Sequence, residues 1–130
     1  MTAEELRKVS GGVIGHFTPK ECVIDLAVDA AKGAVGSNLI GLKVPANKFI
    51  IGAYLKNLDD ALASSGSATL AVAVGSNTIL SAQALADVKG KGKCVIATAP
   101  VYVTAESDVK LTVATAGLTA GKLTIGVIYA

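Results

Sequence analysis

The chain has 130 residues, a formal net charge of +2, 52% hydrophobic residues and only 17% charged residues. One domain of this length can bury a substantial core, but soluble domains carry about 25% charged residues. The weak net charge argues against nucleic-acid binding, which needs a basic surface. The shortage of charge therefore indicates either a membrane-embedded chain or one that hides surface in an assembly.

A membrane span is the weaker of these two interpretations. The longest stretch without a charge, residues 61–86, has the length of a span, but Gly, Ser and Asn interrupt it and most of its apolar residues are alanine. The N-terminus is charged and has no apolar stretch behind a basic start, so no signal peptide is predicted. We therefore expect synthesis in a cytoplasm, no membrane contact, and an assembly that covers the surface.

Residues 1–20 are predicted to form an N-terminal arm, and residues 21–130 a single domain. Thr2 and Glu5 have capping-box spacing at the start of a short helical pattern, which Gly11 and Gly12 end. A helix this short is marginal in water, so the arm is expected to become ordered by docking onto a neighbouring subunit or another partner.

From residue 21 the pattern is β almost throughout. In chain order the apolar segments are ECVIDLAVD, LIGLKV, KFIIGAYLKNL, TLAVAV, KCVIATA, VYVT, DVKLTVAT and GKLTIGVIY. A short helical turn is predicted near residues 77–86, because Ser76 or Asn77 can cap it and Ala and Leu favour helix. About eight strands without strand–helix alternation predict an all-β fold, an antiparallel β-sandwich that is jelly-roll-like.

The last strand shows the clearest two-residue periodicity. One set of alternate side chains is strongly apolar and should face the core, namely Leu123, Ile125, Val127 and Tyr129. The other set carries no charge either. We therefore expect a strand that pairs on both sides and whose outer face meets another subunit.

Four residues at nominally outward strand positions form the candidate oligomer or capsid interface: Ile50, Tyr54, Tyr102 and Ile128. In the third segment this assignment places Phe49 inward together with residues 51, 53 and 55. Interface centres are depleted in charge and enriched in aromatic residues, which is why these positions are chosen. The alternative is that they face the core.

Catalytic and metal-binding patterns are not found. The single histidine, His16, lies in the arm and completes neither a nucleophilic triad nor a zinc site, and adjacent Asp59 and Asp60 are predicted to be solvated. Cys22 and Cys94 lie in apolar runs, so we expect them to be buried, reduced and not joined in a disulfide. The sequence thus predicts no enzyme, no cofactor and no metal.

Residues 44–130 resemble a known protein family. The segments that carry the resemblance are VPANKFIIGAYLKNLDDALAS, ATLAVAVG, ILSAQALADV, VYVTAESDVKLTV and LTAGKLTIGVIYA. Their order is similar to that of small β-sandwich virion proteins of tailed bacteriophages, in particular head decoration (cement) proteins. The resemblance implies a homotrimer that is made in the host cytoplasm and then sits on the capsid surface of the virion, where it clamps subunits of the major capsid protein. It implies no cofactor, no nucleic acid and no active site.

Two other functions remain open at the level of sequence. A tail, fibre-base or portal-associated virion β-module would have the same composition, and localisation in virion images would distinguish it. A carbohydrate-binding β-sandwich would need exposed aromatic rings, for which the chain offers no Trp and only three Tyr. A glycan screen would test that alternative.

Overall fold

The structure, a computed structural model, describes residues 18–57, 61–90 and 94–130. In these ranges the strands are β1 Thr18–Asp25, β2 Gly36–Val44, β3 Lys48–Lys56, β4 Ala63–Ser64, β5 Thr69–Val74, β6 Asn77–Ala84, β7 Cys94–Val103, β8 Ser107–Ala114, β9 Leu118–Ala120 and β10 Lys122–Tyr129. A 3-10 turn, Ala30–Gly33, lies between β1 and β2, and a single-turn helix, α1, spans Leu85–Val88. Neither helical element approaches the length needed to cross a bilayer.

The eight longer strands form two four-stranded antiparallel sheets. The first sheet has the order β1-β10-β3-β7, the second has the order β2-β8-β5-β6, and β4 and β9 form a small separate pair. The pairs β1–β10, β2–β8, β3–β7 and β5–β6 are those of one long antiparallel hairpin wound around a core. This winding is the jelly roll. The predicted all-β sandwich is confirmed.

The winding makes the two ends of the sandwich different. At one end, which we call the turn end, short connections join the strands, namely residues 45–47, 75–76 and 104–106. Gly75 turns the chain there with φ 59°, a conformation that glycine adopts without strain. At the other end, the loop end, the connections are longer, namely residues 26–35, 57–68, 85–93 and 115–121. Larger surface features therefore concentrate at the loop end.

The core lies between the inner faces of the two sheets. From β10 it receives Leu123, Ile125, Val127 and Tyr129, all of which are buried. Strand β10 pairs with β1 on one side and with β3 on the other. The prediction that this strand is internal to a sheet with one core face is therefore confirmed, and the apolar C-terminal strand is explained by its central position.

Two element boundaries differ from the sequence-based prediction. Residues 77–84 form β6 and not a helix, because Ile79 and Leu80 pack into the core and β6 pairs with β5. Tertiary packing here overrides the helix propensity of Ala and Gln, and the helical turn is confined to α1. Strand β1 begins at Thr18, so residues 18–20 belong to the sheet; the rest of the predicted arm lies outside the described residues, as do Asp59 and Asp60.

The two cysteines are both free, but their surroundings differ from the expected burial. Cys22 is half-buried, and its Sγ donates to the carbonyl of Ile40 at 3.2 Å. Cys94 is exposed because it begins β7 opposite Lys56, on the side of the first sheet that faces away from the core. The expectation of two buried thiols is therefore wrong for Cys94.

Candidate assembly surface

The face of the first sheet that points away from the core exposes several large apolar side chains; we call it the outer face. The strand register aligns side chains from all four strands across it, including Glu21, Val23, Lys56, Tyr54, Cys94, Ile96, Thr124, Gly126 and Ile128. The charged residues on the outer face are Glu21 and Lys56, which form an ion pair, and the register partners Asp25 and Lys122 at its loop-end border. A water-facing sheet of a jelly roll would ordinarily alternate apolar and polar residues, so this face is unusual for a solvent-exposed surface.

Tyr54 lies flat across the middle of the outer face. Its register partner on β10 is Gly126, and a Cβ at Gly126 would overlap the tyrosine ring. Because glycine leaves this space open, the ring covers the neighbouring backbone and Tyr54 is only 9% exposed. The glycine in the most apolar strand thus gives the outer face a flat surface.

The charges on the outer face neutralise each other. The Lys56 ammonium lies 3.4 Å from the Glu21 carboxylate and 5.6 Å from the centroid of the Tyr54 ring. Burial, and secondarily the hydrogen bond and negative charge of Glu21, raise the pKa of Tyr54 above its usual range. The face therefore presents an internally paired, neutral surface that needs no counter-charge from a partner.

Two aromatic rings mark the turn end of the outer face. Phe49 and Tyr102 are register partners, and their ring centroids lie 4.9 Å apart with the planes tilted by 58°. The Tyr102 hydroxyl donates to the Asn47 Oδ1 at 3.2 Å. Both rings are about half exposed, and their tilt provides an apolar ridge instead of a flat stacking platform.

The structure moves one of the four sequence-predicted interface residues into the core. Ile50 is 0% exposed, whereas Phe49, predicted to face inward, is exposed. The register of β3 shifts by one residue between Ile50 and Gly52 against both neighbouring strands. Such a bulge reverses the alternation on one side of it, which is why Ala53 and Leu55 face inward as predicted while the start of the strand does not.

The other three predicted residues lie on the outer face. Tyr54 is there but largely covered, Ile128 is half-buried between β1 and β3, and Tyr102 is 47% exposed. Sequence reasoning missed Val23 and Ile96, which are more exposed than any of these. In ECVIDL, Val23 lies two residues from Glu21 and two from Asp25, so all three share one face of the strand. This spacing was the signal that could have placed Val23 outward.

The border strands of both sheets carry features that hinder pairing with a strand of another molecule. β1 contains Pro19 and β7 contains Pro100, and proline lacks a backbone donor. Gly41 in β2 has φ 83° within an irregular stretch of the β2–β8 ladder, and the β5–β6 ladder also shifts register. Strand addition at these edges is therefore disfavoured, and association through faces or ends is favoured.

Within the described residues, no group of three or more His, Cys, Asp or Glu side chains could hold a metal ion. His16 falls outside those residues. The chemistry that the described surface offers is apolar contact, a few hydroxyl groups and isolated ion pairs, which is suited to binding another macromolecule.

The fold resembles those of two solved phage structures. One match is a chain of the acidic stable capsid structure of Helicobacter pylori bacteriophage KHP30, with a TM-score of 0.61, 12% identity, and coverage of 87% of this chain and 86% of that chain. The other is a chain of the capsid of Ralstonia phage GP4, with a TM-score of 0.54, 19% identity, and coverage of 89% and 84%. At these identities the similarity shows a shared fold.

No protein-family model matches the chain, and no curated protein matches it in sequence.

Proposed function

We propose that this chain is a structural protein of a tailed-bacteriophage virion. Two features support the proposal: the jelly roll, a fold that the chain shares with two chains from phage capsid structures, and the resemblance of residues 44–130 to head decoration proteins. The observation that carries it is the outer face of the first sheet. Its exposed apolar side chains, among them Val23, Ile96 and Tyr102, are typical of a protein–protein interface.

In the proposed role the protein decorates the outside of the capsid and cements contacts between subunits of the major capsid protein. It does so as a homo-oligomer, most simply a trimer, after synthesis in the host cytoplasm. The outer face of the first sheet contacts the capsid or a neighbouring copy. In the N-terminal arm, predicted over residues 1–20, the part that precedes β1 adds a second attachment.

The direct experiment is to mix the purified protein with capsids assembled without it and to measure co-sedimentation and the capsid's melting temperature. We expect saturable binding and a higher melting temperature of the capsid, because a ligand that binds only the assembled state stabilises it by mass action. Electron microscopy of the complex locates the density. Binding to purified tails but not to capsids would assign the protein to the tail, fibre base or portal instead.

A carbohydrate-binding function is the second candidate, and the exposed Phe49–Tyr102 pair is the observation that favours it. Sugars stack on exposed aromatic faces, although the tilt between these two rings leaves one flat surface at most. A glycan array probed with the wild-type protein and with Tyr102→Ala tests this function. Tyr102-dependent binding to a glycan would support it.

A further inference from the structure

The connection between β1 and β2, residues 26–35, presents apolar side chains to solvent; we call it the valine loop. Val28 is 77% exposed, and Val35 is also exposed. Between them, Ala30, Ala31 and Ala34 are exposed as well. A loop normally turns polar residues outward, so this composition indicates contact with another molecule.

The valine loop is held in one conformation by its own hydrogen bonds. The Asp25 carboxylate accepts from the Ala27 amide, and the Asn38 side-chain amide donates to the carbonyls of Lys32 and Ala34. At its base, a Cβ on Gly33 would overlap the side chains of Leu26 and Leu118. A rigid apolar loop loses little conformational entropy on binding, which favours association.

A groove of about 400 Å³ lies at the opposite border of the second sheet. Its walls come from the segment before β5 and from the end of β6 with α1, and include Gly66, Ala68, Ala84, Leu85, Ala86 and Lys89. One water occupies about 30 Å³ of liquid, so the groove has room for aliphatic side chains. Its lining is mostly apolar, with Lys89 as the charged group.

The valine loop and the groove are complementary in shape, polarity and charge. The loop protrudes and is apolar, and the groove is concave and apolar. Asp29 follows Val28 in the loop, and its carboxylate is half exposed beside Lys32 at 3.6 Å. An exposed ion pair of this kind contributes little to stability, so Asp29 can turn toward the Lys89 ammonium of another molecule at little cost.

We propose that the valine loop of one copy seats in the groove of a second copy, with Val28 inserted and Asp29 paired with Lys89. This inference deepens the self-association in the proposed function. The loop lies beside β2 and the groove beside β6, at opposite borders of a sheet ordered β2-β8-β5-β6. The two surfaces are thus about 14 Å apart across the sheet and differ from each other, which makes the contact head-to-tail and compatible with closure into a ring.

Reciprocal charge reversal tests the contact in the full-length chain. We expect Asp29→Lys and Lys89→Asp each to lower the association constant, measured by sedimentation equilibrium, about tenfold or more. The double variant, which restores opposite charges across the contact, should associate within about threefold of the wild type. Lys110→Asp is the matched control, because Lys110 lies in β8 on the face of the second sheet that points away from the core. This variant should leave association unchanged.

Val28→Asp should reduce association at least as strongly while the melting temperature stays near the wild-type value. The inference is overturned if both single reversals associate normally, if the double variant is no better than the singles, or if the wild type is a monomer at all concentrations. The capsid-binding experiment distinguishes these failures. Capsid binding by a monomeric wild type would overturn this inference and the homo-oligomer of the proposed role but leave capsid decoration standing, whereas normal self-association without capsid binding would overturn capsid decoration alone.

Discussion

The two sheets of the jelly roll have similar inner faces and different outer ones. The outer face of the first sheet exposes four large apolar or aromatic side chains and is flattened by Tyr54 lying over Gly126. The corresponding face of the second sheet carries a hydroxyl pair, Ser37 with Thr112 at 3.1 Å, and Lys43 beside the carboxylates of Glu106 and Asp108. The outward side chains of the second sheet are thus more polar than those of the first.

The difference is one of exposed apolar side chains and not of charge, because the outward strand positions carry Glu21, Asp25, Lys56 and Lys122 in the first sheet and Lys43, Asp108 and Lys110 in the second. Composition alone indicates that some surface is covered. The strand register indicates which surface, because it determines which residues lie side by side on one face.

The largest expected effect on folding distinguishes the core face of the first sheet from its outer face. Ile125→Asp places an unpaired charge in the core of the central strand β10, and we expect it to abolish folding. Thr124→Asp, one residue earlier, lies on the outer face; Thr124 is only 5% exposed there, but it is the register partner of Lys56, which can pair with the new carboxylate. That variant should fold. Circular dichroism and thermal melts of both variants test which residue of β10 faces the core. A cooperative melt of Ile125→Asp would contradict the assignment of Ile125 to the core face.

The second prediction tests the bulge in β3. Ile50→Ala should lower the free energy of unfolding by about 2–5 kcal/mol, because it removes buried side-chain atoms from the core. Phe49→Ala removes a larger but exposed side chain and should change it by less than about 1 kcal/mol. Urea unfolding of the two variants gives both values. The reverse order would mean that the strand keeps the regular alternation read from its sequence.

That bulge also shows how much of the strand orientation can be predicted from the sequence. The alternation in DVKLTVAT and GKLTIGVIY is regular, and both strands lie as predicted because one face of each is buried. In KFIIGAYLK every position from 49 to 55 is apolar or glycine, so the pattern does not specify where the alternation shifts. The covering of Gly126 by Tyr54 depends on the pairing of β3 with β10, which are distant in sequence. Helix propensity at residues 77–84 likewise yields to packing against β5.

The third prediction compares the two outer faces directly with a matched pair of residues. Val23 on the first sheet is 59% exposed and Leu39 on the second sheet is 58% exposed. Val23→Glu and Leu39→Glu should both fold with nearly unchanged stability, since each adds a charge at the surface. Val23→Glu should weaken attachment to capsids about tenfold or more, and Leu39→Glu should not. Equal effects in the co-sedimentation assay would show that the outer face of the first sheet has no special role.

The smallest expected effect concerns the pH dependence of stability and again distinguishes the outer face of the first sheet. Burial and Glu21 raise the pKa of Tyr54 in the folded state above its value of about 10 in the unfolded chain. The free energy of unfolding therefore holds its full value, as far as Tyr54 is concerned, below about pH 10. It falls as the pH rises toward the pKa of Tyr54 in the folded state, because the tyrosine ionises first in the unfolded chain. One group changes stability by at most about 1.4 kcal/mol per pH unit in that window. Tyr54→Phe should remove this contribution, so its urea-unfolding free energy should fall less than that of the wild type between about pH 9.5 and 11, while lysine titration affects both proteins alike. Parallel pH profiles for the two proteins would mean that Tyr54 is as well hydrated in the folded state as in the unfolded one, and that the ring does not lie closed over Gly126 in solution.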